Sequence, residues 1–132
     1  MLSEFQVSPV SRKRLWAGRV VSALVILFLL FDASIKILKL PPAVEGTVQL
    51  GYPANTVFPI GLVLLLSTIL YAIPRTSVFG AILLTAYLGG ATATMVRVGA
   101  VLFLFPVIFG VLVWAGLVLR DAQLTAAIFL RR

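Results

Sequence analysis

The chain has no cysteine and no histidine, and only four of its 132 residues are carboxylates: Glu4, Asp32, Glu45 and Asp121. Without cysteine, its own side chains cannot supply thiol–disulfide exchange or a thiolate-bound metal centre. Without histidine, the commonest transition-metal ligand and the usual haem ligand are missing as well. No intrinsic cofactor is therefore expected, and in any redox role a diffusible cofactor or a partner would have to carry the electrons.

Charge is scarce too, with eleven basic and four acidic side chains against 61% hydrophobic residues. At a mean hydropathy of +1.15 there is too little polar surface to cover a soluble globule, so the composition is that of an integral membrane protein. A hydrocarbon core about 30 Å thick needs about 20 apolar residues per helix. Four such runs are present, at about 15–38, 57–73, 77–96 and 100–119, with a longer connection at about 39–56. The expected fold is all-α, a four-transmembrane-helix bundle in one domain over 1–132, and these spans leave no room for a second domain.

The net charge of +7 does not read as a nucleic-acid footprint, because the bases collect at the ends of apolar runs and are not interleaved with aromatics. Arg12, Lys13, Arg14, Arg19, Arg75, Arg120, Arg131 and Arg132 fall on one side of the four spans; Lys36, Lys39 and Arg97 fall on the other. By the positive-inside rule, both termini are expected in the cytoplasm and the protein in the cell (inner) membrane as a multi-pass chain. Ser11–Arg14 followed by Val20–Phe31 also resembles a signal peptide, but the apolar stretch is long for one and lacks a clean cleavage site.

Ionised groups inside a span are costly and default to functional candidates. Asp32 and Lys36 lie one turn apart in the first span, on the face that also carries Gly18, Ser22, Val25 and Leu29. Gly18 and Ser22 form a small-xxx-small pair suited to close helix packing. In the third span Ala86, Gly90, Ala93 and Arg97 share a face, with Gly89 and Thr94 at its margin. Helical rise brings Arg97 near the level of Asp32, which predicts an outer-leaflet cluster with Asp32 between Lys36 and Arg97. Glu45, Gly90 and Thr94 complete this candidate ligand-binding set, and its surplus positive charge would suit a lipid headgroup or a quinone. The alternative is a salt-bridge network that locks the bundle.

A second polar and aromatic group, Trp16, Arg19, Arg75, Trp114, Arg120 and Asp121, is expected at the cytoplasmic interface, where Trp and Arg ordinarily anchor helices. Asp121 would balance Arg19 or Arg75 there. The turn Pro74-Arg75-Thr76 is short enough to make the second and third spans antiparallel neighbours. The 39–56 connection, with Pro41, Pro42, Gly46, Gly51 and Pro53, cannot be a regular helix throughout, and would bring Glu45, Gln49, Tyr52 and Asn55 over the outer cluster. Pro106 and Gly110 would loosen or kink the fourth span.

Several segments in order, Trp16-Ala17-Gly18-Arg19, Phe31-Asp32-Ala33-Ser34-Ile35-Lys36, Leu50-Gly51-Tyr52-Pro53, Ile73-Pro74-Arg75-Thr76, Tyr87-Leu88-Gly89-Gly90 and Leu119-Arg120-Asp121, resemble the DoxX-like family of small four-helix membrane proteins. The resemblance runs from about Arg14 to about Leu124. Where many members carry a histidine before the arginine of the third span, this chain has Met95. The resemblance implies a membrane subunit or assembly factor, as the family's name comes from a subunit linked to a thiosulfate:quinone oxidoreductase. The leading expectation is a non-catalytic subunit that docks a membrane redox partner or another copy of itself. A lipid- or quinone-binding protein or carrier is the alternative, and an enzyme using Asp32 as general acid or base is a third reading.

Overall fold

The computed structural model describes residues 11–125 and 127; Glu4, Arg131 and Arg132 lie outside them. Among the described residues four helices are long and apolar enough to cross a membrane: Arg12–Ile37, Ala54–Ala72, Pro74–Arg97 and Val101–Arg120. The first, α1 (Arg12–Ile37), begins where the Ser11 hydroxyl accepts the Arg14 N–H at 3.2 Å. It runs unbroken through the stretch that resembles a signal peptide. Its 26 residues rise about 39 Å, more than the hydrocarbon thickness, so its basic first turn extends past the apolar zone.

α1 ends in a double cap. The Lys39 N–H bonds Lys36 O at 3.1 Å and the Leu40 N–H bonds Ile35 O at 3.0 Å, which holds Lys39 at φ 54°. A left-handed residue here normally is glycine, and α4 ends the same way with Gly99 at φ 74°.

The connection after α1 is more regular than its prolines suggest. Pro41 and Pro42 occupy the first turn of a short helix, α2 (Pro41–Gln49), where a missing N–H costs nothing. A 3-10 turn at Ala54–Thr56 then leads into α3 (Val57–Ala72), and another at Pro74–Thr76 leads into α4 (Ser77–Arg97). α5 (Leu104–Arg120) follows a third, Val101–Phe103, and α6 (Ala122–Thr125) is a single turn. Pro106 falls in the first turn of α5 and removes no bond from its ladder, so the expected loosening has no cause there.

α1 packs on α3 and α5, and α4 packs on the same two, so α1 and α4 stand diagonally and run in the same direction. The end where α1 begins is called proximal, the other distal. Val25, Leu29, Ala33, Leu64, Tyr71, Ala81, Leu84, Leu88, Val113 and Leu117 form the core. Leu24, Leu27, Phe31 and many other large apolar side chains point outward, as a bilayer requires.

At the proximal end one phenol joins three helices. Tyr71, on α3, donates to Val113 O of α5 at 2.6 Å and shares a 3.1 Å hydrogen bond with Ser22 Oγ of α1. A phenol has one proton, so Ser22 is the donor in the second bond. Gly116 lies against Ser22 and the Tyr71 hydroxyl, and Gly80 of α4 lies against the Tyr71 backbone; neither position has room for a Cβ. Gly18 and Ser22 therefore pack α1 onto α5, as their spacing implies.

Candidate functional site

At the distal end a polar layer is built across the diagonal of the bundle. Lys36 Nζ donates to Asp32 Oδ2 at 3.1 Å and to the Tyr87 hydroxyl of α4 at 2.7 Å. A lysine on a helix leans toward the N-terminus, which here means into the bundle, and Asp32 lies one turn along that path. The lysine side chain is 18% exposed and the aspartate 29%. Gly61 on α3 makes room for this part of α1, since a Cβ there would sit 2.7 Å from Lys36 Cβ.

Arg97 does not join this layer. Its Nη2 donates to Leu50 O at 2.9 Å, beside Gly51, whose φ of 97° and missing Cβ leave room for the guanidinium. The physical reason is phase and height together. Arg97 lies ten residues, about 15 Å, beyond Tyr87, on the face of Ala86, Gly90 and Ala93, and all four are exposed. The face of α4 that packs carries Gly80, Ala81, Leu84 and Leu88 instead. The expected triad of Asp32 between two cations is thus replaced by an acid–lysine–phenol set.

The other distal candidates divide. Thr94 is buried; it donates to Gly90 O at 2.9 Å and receives the Tyr52 hydroxyl at 2.9 Å, so Tyr52 and Arg97 together fasten the α2–α3 connection to α4. Glu45 is exposed on α2 and has no ion-pair partner among the described residues. Gly90 is exposed with open space over its Cα hydrogen. Sequence reasoning used Tyr87 only as part of a motif, although a phenol deep in an apolar helix needs a partner and so marks a polar neighbour.

The proximal group is looser. The Arg19 guanidinium stacks 5.5 Å over the Trp16 ring, both exposed, and Arg75 is exposed in its 3-10 turn. Arg14 Nη2 donates to Val118 O at 3.0 Å, Arg120 Nε to Gly116 O at 3.2 Å, and Asp121 Oδ1 accepts the Leu124 N–H at 3.0 Å. Trp114 departs from the group. It lies six residues, about 9 Å, before Arg120, and its Nε1 donates to Thr85 Oγ1 of α4 at 2.6 Å. That bond lies in a lipid-facing groove of about 850 Å³ between α4 and α5, lined by Gly89, Thr92, Gly110 and Val111 among others.

A family model described as the DoxX-like family matches residues 20–116, well over half of the chain. The chain belongs to the DoxX-like family. No curated protein matches it, and no solved structure does. The matched stretch of this DoxX-like protein contains the whole distal layer, the Tyr71 junction and all of the α4–α5 groove except Val118 and Leu119. Trp16, Arg19, Arg120 and Asp121 fall outside it.

Chemically, the distal layer offers one ammonium, one carboxylate and one phenol at the end of an apolar bundle. Lysine has three N–H donors and two are used, which leaves one for a carbonyl or anionic oxygen.

Proposed function

We propose that this DoxX-like protein is a non-catalytic membrane subunit or assembly factor, and that a quinone-linked redox complex is the class of assembly it serves. The observation that carries this reading is the unpartnered small-residue face of α4. Ala86, Gly89, Gly90 and Ala93 are exposed, and a Cβ added at Gly89 or Gly90 would meet nothing within 4 Å. Between helices in a bilayer such residues let backbones approach closely; facing lipid alone they gain less contact than leucine would. The charge bias further supports a cell-membrane protein whose proximal end and both termini are cytoplasmic. The test is mild crosslinking in native membranes, comparing wild type with Gly90→Leu. Capture of a defined partner, or of a second copy, by wild type and its loss in the variant is the expected result; no adduct from wild type would end the proposal.

A second reading is favoured by the remaining Lys36 donor: a lipid or quinone bound with its oxygen on Lys36, beside Asp32 and Tyr87. This predicts that a short-chain quinone or a phospholipid raises the melting temperature of wild type, and that Lys36→Met abolishes the shift. An equal shift in both proteins would dismiss it.

A further inference from the structure

The proximal end holds a second cavity, of about 470 Å³, bounded by the start of α1, the α3–α4 turn and the end of α5. Unlike the α4–α5 groove it is of mixed character. Its lining combines Leu15, Val78 and Leu117 with Ser77, Arg120 and Asp121. Arg120 is the unusual member. Its Nε is satisfied by Gly116 O, but its Nη2 is buried with no hydrogen-bond partner among the described residues. The base of the side chain is packed against α1, since a Cβ at Gly18 would approach Arg120 Cγ to 2.6 Å. A buried guanidinium nitrogen without an acceptor is costly, and it is the kind of orphan that a bound oxyanion satisfies.

We propose that this cavity binds the phosphodiester of a membrane phospholipid, with the Arg120 guanidinium as its anion ligand. Three features select that chemistry. The cavity lies at the end of the spans, at the depth where headgroups begin. Its apolar wall opens to lipid at Val78, which is 41% exposed, so an acyl chain can leave along the bundle surface. Asp121 stands in the same wall, and its carboxylate disfavours a multiply charged phosphate more than the single charge of a diester. Among the described residues that line the cavity, Arg120 is the one cation.

The test uses the full chain, delipidated and reloaded with phosphatidylglycerol or with diacylglycerol of the same acyl chains, and read by native mass spectrometry. Wild type should retain phosphatidylglycerol and not diacylglycerol. Arg120→Gln should retain it about tenfold less, the loss of one charge-assisted contact. Val78→Trp fills the mouth of the cavity from an exposed position and breaks no hydrogen bond named here, so it decides the matter if Arg120→Gln does not fold; it too should lose the lipid. Retention unchanged in Val78→Trp, or equal retention of the two lipids, would overturn the proposal. So would thermal stabilisation by inorganic phosphate as large as that by phosphatidylglycerol, which would point to a soluble anion.

Discussion

The phenol of Tyr87 decides how Lys36 is held, and its removal is expected to be felt. Tyr87→Phe deletes a 2.7 Å acceptor from a part-buried ammonium and should destabilise the protein by about 1–2 kcal/mol in thermal unfolding in detergent. Lys36→Met should cost more, roughly 2–3 kcal/mol, because it leaves Asp32 alone at the edge of the apolar zone. Adding Asp32→Asn to Lys36→Met should then recover part of the loss. If all three proteins melt together, the layer has no energetic role. The i, i+4 spacing of Asp32 and Lys36 made their pairing legible in the sequence. Tyr87 was not legible as a partner, since nothing in the chain's order says which diagonal helix a lysine will reach across the bundle. The Trp114 bond is illegible for a related reason: interfacial tryptophans are common enough to hide one whose indole bonds a threonine midway along a neighbouring helix.

Among the helices, the ends carry the sharpest tests. Lys39 adopts a left-handed conformation that disfavours a side chain, so Lys39→Gly should stabilise the protein by up to about 1 kcal/mol. A drop in melting temperature would mean that the Lys39 ammonium, 5.9 Å from the Phe58 ring, contributes more than its backbone costs. Gly116→Val should destabilise by about 3 kcal/mol or more, since its Cβ would overlap Ser22 and force α1 off α5. The packing face of α1 was readable because Gly18, Ser22, Val25 and Leu29 keep a helical period in which small residues stand among large ones. That of α4 was not, because both its faces carry small residues, and the choice between them rests on neighbours the sequence does not name. α2 is hard to see in the sequence because a proline pair ordinarily breaks a helix, whereas at the first turn Pro41-Pro42 starts one.

Across the whole molecule, the bilayer thickness is what made the spans readable, since it fixes helix length and polarity independently of any partner. The placement of the two ends is open to a clean test because the chain contains no cysteine of its own. A membrane-impermeant maleimide applied to intact cells should label Glu45→Cys, while Arg75→Cys should react only after permeabilisation. The reverse pattern would invert the proposed topology and move the Arg120 cavity to the outer leaflet.

The Tyr71 junction bears on the order of assembly. Membrane helices can insert as separate spans before they associate, and an inserted α3 alone gives the Tyr71 phenol, near its proximal end, neither of the partners it has in the bundle. That need is met when α5 brings Val113 O and α1 brings the Ser22 hydroxyl, contributions from opposite ends of the chain's order. α5 is thus required to complete the environment of α3, so the nascent bundle stays incompletely zipped until translation has passed Val113. A chain truncated after α4 should insert normally yet remain a substrate for membrane quality-control proteases, with the intact chain resistant.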